Sequence, residues 1–199
     1  MFKILKCLTM LVAMTFLFAG CASVPEPSDK NTSLLYGNVE FNFTCVPNNY
    51  GIPLSSTEKA GITVWFQNIK TKKIIKLTTN AKGEILRSNV PEGTYIIHSL
   101  SKTINYGAGY KAEYIAKFDQ HKTTNFHFIP VDDSVVNLGL ISLDISITDI
   151  GYYNWFVNWD YEFERVKANF LYLHRESGWL DKEWLTRRES LERNLTLFP

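Results

Sequence analysis

From Gly37 to Val46 the chain sets Val39, Phe41 and Phe43 against Glu40, Asn42 and Thr44, an alternation with a period of two. Successive side chains of a strand point to opposite faces, so this run predicts a strand with one buried and one wet face. Ile62 to Asn68 repeats the pattern, with Ile62, Val64 and Phe66 opposite Thr63, Trp65 and Gln67. Shorter runs follow at Ile74 to Thr79 and Ile85 to Arg87, parted by Asn80-Ala81-Lys82-Gly83, whose asparagine and glycine suit a tight hairpin turn. Pro91-Glu92-Gly93 then punctuates the chain. Further strands are expected at Thr94 to Leu100, Ala112 to Phe118, Thr124 to Ile129 and Val136 to Thr148, the last bent or split near Gly139. Short strands separated by turn signals, with no helix among them, predict an antiparallel β-sandwich.

Beyond Thr148 the pattern changes. Tyr153, Trp155, Val157 and Trp159 line one side of an expected strand, with Tyr152, Asn154, Phe156 and Asn158 on the other. From Asp160 onward Phe163, Val166, Phe170 and Leu173 recur at helical spacing, with Glu162 and Glu164 early and Arg175 late, as a helix dipole favours. A second helix is expected after Asp181 as N-cap, carrying Trp184, Leu185, Leu191 and Leu195, with Gly178 separating the two. The sandwich is assigned to 36–149, and the aromatic strand and short C-terminal helices, packed on it, to 150–199.

The front of the chain carries a different signal. Met1 to Lys6 holds two lysines, Leu8 to Phe18 is apolar apart from threonines, and Ala19-Gly20 follows, which is the order of an export signal. The apolar stretch is shorter than the roughly 20 residues that a spanning helix needs. Leu17-Phe18-Ala19-Gly20-Cys21 resembles the lipobox of bacterial lipoproteins, with Phe18 where leucine is usual. The resemblance implies that residues 1–20 are a removed signal peptide and that the Cys21 thiol carries the lipid. Acyl chains then anchor the protein to a membrane without a spanning helix. Ala22 in place of aspartate implies, by the same resemblance, the outer membrane. Val24 to Ser33, "VPEPSDKNTS", lacks apolar periodicity, and residues 21–35 are expected to form a flexible tether.

Five short motifs stand in one order along the sandwich region. They are Gly37-x-Val39, Gly51-Ile52-Pro53-Leu54, Ala60-Gly61-Ile62-Thr63-Val64, Thr79-Asn80-Ala81-Lys82-Gly83-Glu84-Ile85 and Val90-Pro91-Glu92-Gly93-Thr94-Tyr95. Together they resemble the carboxypeptidase regulatory-like, transthyretin-like or Cna-B-like sandwich, from Gly37 to about Leu100 and more weakly to Thr148. Asn80 replaces the usual aspartate and Ile85 the usual aromatic. The resemblance implies an immunoglobulin- or transthyretin-like fold and, since that sandwich is generally an accessory domain, no catalytic centre.

Composition narrows the chemistry. With 21 Lys+Arg against 20 Asp+Glu the formal charge is +1, and −1 once Lys3 and Lys6 leave with the signal, so nothing points to nucleic acid. Of three cysteines, Cys7 leaves with the signal and Cys21 is expected to be acylated; Cys45 is left in a strand as a buried thiol, and no disulfide framework is expected. Asp119, His121 and His127 lie near one hairpin, but a hydrolytic metal site needs three ligands and an open position. They read as solvated turn residues, and Asp132-Asp133 likewise as turn formers rather than calcium ligands. His98 and His174 sit in apolar settings as satisfied imidazoles. No metal, cofactor or catalytic residue is assigned.

The aromatic run 152–161 is the most suggestive surface candidate. Tyr153, Trp155 and Trp159 could contact an envelope protein or stack on a glycan, or they could pack the helices onto the sandwich. The expectation is therefore a non-enzymatic lipoprotein of the bacterial outer membrane. Its sandwich is read as a structural or protein-interaction module, with a carbohydrate-binding or adhesion module as the alternative.

Overall fold

The computed structural model describes residues 24–27, 33–45, 54–107, 109–118, 127–131, 133–147 and 153–195. In chain order they form β1 (Ser33–Cys45), β2 (Leu54–Glu58), β3 (Ile62–Asn68), β4 (Ile74–Thr78), β5 (Glu84–Ser88), β6 (Tyr95–Gly107), β7 (Tyr110–Lys117), β8 (His127–Phe128), β9 (Ser134–Ile147) and β10 (Tyr153–Tyr161). Helix α1 (Phe163–Leu173), a 3-10 turn (Gly178–Asp181), β11 (Glu183–Thr186) and α2 (Arg187–Leu195) follow. The strands make two sheets. The first has the order β10-β9-β1-β2, with β11 also on β9 and β5 also on β1; the second is β4-β3-β6-β7, with β8 on β6.

The alternation seen in the sequence fills the space between them. Leu35, Val39 and Phe41 of β1 and Val136, Ile141, Leu143 and Ile145 of β9 meet Ile62, Val64 and Phe66 of β3 and Ile97 and Leu100 of β6. The mainly β sandwich with a C-terminal helical part is thus the architecture observed. Its central pair departs from the antiparallel expectation: β9 runs parallel to β1 from Ser33↔Ser134 to Cys45↔Ile147, and β11 runs parallel to β9. Parallel neighbours tend to be covered on both faces, and here Ser134 to Leu140 is buried at every position. The bend expected near Gly139 is a register shift there, with Gly139 at φ 68°.

Behind the first sheet lies a second, smaller core. Leu34 and Tyr36, on the opposite face of β1 from Leu35, join Val135 and Leu140 of β9, Val166 and Phe170 of α1, and Trp179 of the 3-10 turn. The helical stripe expected from Val166 and Phe170 is therefore the face that α1 buries. The second helix differs from expectation. Trp184 and Leu185 belong to β11, and Asp181 ends the 3-10 turn instead of capping a helix. Helix α2 starts five residues beyond Lys182, where Thr186 Oγ1 accepts the Glu189 N–H and Glu189 Oε2 accepts the Thr186 N–H, a capping box.

Two further expectations are corrected. The Asn80 to Gly83 turn is tight, held by Asn80 Oδ1 accepting from the Lys82 and Glu84 amides, yet it joins no hairpin. β4 and β5 belong to different sheets, so the turn is a corner of the sandwich. Within the span expected to be a tether, Val24–Pro27 lies docked: Val24 is buried in the second core, and Trp179 Nε1 donates to the Pro25 carbonyl at 2.6 Å. The Gly178 amide donates to Glu26 Oε2 at 2.8 Å, and a Cβ at Gly178 would meet that oxygen at 2.8 Å and Pro27 at 3.2 Å. Glycine at 178 lets the N-terminal segment approach this closely.

Candidate functional site

Two places on the molecule gather the groups that could carry function. The first starts from Tyr36, whose place on the outer face of β1 buries its ring against Phe170 (centroids 4.8 Å apart) and Trp184 (6.1 Å). A phenolic hydroxyl there needs a partner, and Glu84 supplies it. Glu84 opens β5, which pairs with β1 through Asn38↔Glu84, so its carboxylate enters the second core. Oε1 accepts the Tyr36 hydroxyl at 2.6 Å and lies 3.2 Å from His174 Nε2, just past α1; Oε2 accepts Asn80 Nδ2 at 2.7 Å. A buried carboxylate is tolerated only when it is bonded in this way. Burial first, then the hydrogen bond to Glu84 and its charge, push the Tyr36 phenol far above its ordinary value of 10.0, so Tyr36 stays a donor.

A cleft of about 780 Å³ opens over this network, lined among others by Asn80, Lys82, Tyr172, His174, Arg175 and Glu176. A carboxylate holding an imidazole is the arrangement that orients a general base. Here both Glu84 oxygens are engaged inside the fold. Ser177, which also lines the cleft, accepts the Trp179 N–H with its hydroxyl as cap of the 3-10 turn. The network ties β1, the β4–β5 corner and the end of α1 together.

The second place is β10. It pairs with β9 from Tyr153↔Ile147 to Tyr161↔Leu140 and, among the described residues, ends the first sheet on that side. The expected alternation holds for the described side chains: Asn154, Phe156 and Asn158 face out, and Val157 and Trp159 are half-buried against the sandwich core. Trp155 meets Phe118 edge-on at 5.4 Å and remains 40 % exposed, while Phe156 is 61 % exposed. Trp159 is occupied within the fold, with Nε1 donating to the Leu138 carbonyl at 2.6 Å and the Arg187 guanidinium 5.3 Å over its ring.

The residues singled out in the sequence fall apart accordingly. Cys21 and the side chain of Tyr153 lie outside the described residues, as do Asp119, His121, Asp132 and the side chains of Cys45 and His127. Asp133 stands at φ 57° and accepts from Lys182 Nζ at 2.5 Å, the behaviour of a turn residue. Among the described residues no three His, Cys, Asp or Glu side chains are grouped to hold a metal ion. His174 is satisfied as expected, by Glu84; His98 differs, its buried Nδ1 having no hydrogen-bond partner among the described residues. Sequence reasoning passed over Glu84 and Phe156. Glu84 stood inside the Asn80 to Ile85 motif, and Phe156 on the side of β10 that alternation left to solvent. Comparison with family models, with curated proteins and with solved structures finds no match for this chain.

Proposed function

We propose that the protein is a lipid-anchored envelope lipoprotein, non-enzymatic, held to the bacterial outer membrane through Cys21, with the β-sandwich serving as a structural or protein-interaction module. The anchor rests on the lipobox-like stretch Leu17 to Cys21 behind a short apolar run. No helix among the described residues is long and apolar enough to cross a membrane. The observation that carries the interaction reading is the β10 edge. Exposed Trp155 and Phe156 on a strand whose far edge pairs with no other strand among the described residues offer aromatic anchors and backbone groups to an added strand of a protein partner. The network around Glu84 fits a structural role, since its polar groups bond one another.

Cys21→Ser tests the anchor. The variant is expected to lose its acyl mass and to leave the membrane fraction for the soluble one; a variant that keeps both lipid and location sinks the assignment. A glycan array with parent and Trp155→Ala proteins separates the carbohydrate alternative. Glycan binding that depends on Trp155 would replace the protein-partner reading.

A further inference from the structure

The docking of Val24–Pro27 has a geometric result that depends on acylation at Cys21 and reaches beyond it. Cys21 is three residues from Val24, and an extended chain spans at most about 3.6 Å per residue, so about 11 Å of backbone separates the acylated cysteine from a residue buried in the second core. The folded body then has no long spacer: whatever surrounds Val24 stands at the headgroup layer.

The surroundings suit that layer. Val24 lines the same cleft as Tyr172, Arg175, Lys82, Glu176 and Glu26. Tyr172 is 69 % exposed and its neighbour Leu171 43 %, two large side chains left in solvent on α1, a helix whose other face is buried through Val166 and Phe170. The Arg175 guanidinium lies 5.0 Å over the Tyr172 ring, a pairing of an aromatic with a cation. Tyrosine is favoured at the membrane interface because its ring is apolar and its hydroxyl polar, and a neighbouring arginine can reach phosphate. The rim carries two cations, Lys82 and Arg175, and two carboxylates, Glu26 and Glu176, a mixture that matches the phosphate and amine of a zwitterionic phospholipid better than a surface of one sign.

We infer that the face formed by the end of α1 and the mouth of the Val24 cleft, with Leu171, Tyr172, Arg175 and Lys82 foremost, lies flat on the phospholipid surface that holds Cys21. The sandwich is thereby given a fixed orientation, with β10 on the other half of β9 from β11 and presented away from the lipid.

Hydroxyl-radical footprinting of the full-length protein, purified from membranes and reconstituted in phosphatidylethanolamine and phosphatidylcholine vesicles, tests this. The intact mass first reports whether Cys21 is acylated. On vesicles, oxidation of Tyr172 and Leu171 is expected to fall several-fold relative to the unlipidated Cys21→Ser protein in solution, while Phe156 stays equally reactive in both. An acylated protein in which Tyr172 is oxidised as readily on vesicles as in solution, or in which Phe156 is the protected residue, overturns the orientation and leaves the lipoprotein reading standing. A chain without acyl groups overturns both. Tyr172→Glu, a change at an exposed position, is expected to restore Leu171 oxidation on vesicles without loss of acylation; continued protection of Leu171 in that variant counts against the lipid contact.

Discussion

Tyr36 shows how one hydroxyl commits a whole region. Its ring is fully buried, its oxygen must be satisfied inside the fold, and Glu84 has become the acceptor. Tyr36→Phe removes that donor and leaves Glu84 with Asn80 and His174, a loss of about 1 to 3 kcal/mol for a buried group deprived of a partner. The pH dependence follows in sign from the raised phenol. Unfolded Tyr36 ionises as pH rises past its ordinary 10.0 and folded Tyr36 does not, so its contribution is complete below pH 10 and declines above it. Denaturant unfolding across that range is expected to show a steeper alkaline loss in the parent than in Tyr36→Phe. Equal slopes would assign the alkaline loss to the other tyrosines. Gly93 makes the converse point about a residue that the sequence singled out for its turn. It stands at φ 130°, and a Cβ there would come within 2.3 Å of Asn68 Nδ2, whose side chain closes the adjoining turn by accepting from the Lys70 and Thr71 amides.

Among the elements, α2 depends on its first turn. The Thr186 amide, then the Thr186 hydroxyl, hold the Glu189 carboxyl below its ordinary value of 4.5. A lowered carboxyl contributes fully above that value and loses its contribution as pH falls through the lower, folded value. The Thr186 amide resonance is expected to titrate with a midpoint below 4.5, and Thr186→Ala to cost about 1 kcal/mol, as capping residues generally do. A midpoint at 4.5 or above would mean that the box is open in solution. Elements were legible where burial is one-sided and local. β3 coincides with its alternating run because Ile62, Val64 and Phe66 all face one core. β2, Leu-Ser-Ser-Thr-Glu, has no apolar period, since it pairs with β1 through its backbone and a polar side-chain bond, Thr57 Oγ1 donating to Asn42 Oδ1 at 2.8 Å. β11 escaped because four residues beside a parallel neighbour carry no periodic signal, and its Trp184 and Leu185 passed for a helical face. The network at Glu84 was illegible for the same reason of distance: His174 lies 90 positions away, and no local spacing records their meeting.

At the scale of the whole molecule, the chain after Asp160 gives the outer face of the first sheet its cover, through α1 and the 3-10 turn. Removing it would expose Leu34, Tyr36, Val135 and Leu140 and strip Glu84 of His174. Each large apolar side chain returned to water costs about 1.5 to 3 kcal/mol, and a domain holds only about 5 to 15 kcal/mol in all. A chain ending at Asp160 is therefore expected to lose its cooperative melting transition or to melt far below the parent. A calorimetric midpoint close to the parent's would show that the cover is dispensable and turn attention back to β10 as a free binding face. The parallel pairing of β1 with β9 bears on time as well as stability. Residues near Leu34 cannot complete their central contacts until residues near Val135 arrive, and every rung from Ser33↔Ser134 to Cys45↔Ile147 repeats that long separation. Contacts so far apart along the chain place the loop-closure entropy ahead of the reward, which makes folding slow and late. A nascent chain that has reached only β8 can pair β1 with β2 and β5, but it has no middle to its first sheet, and it stays an open substrate for chaperones until β9 has been made.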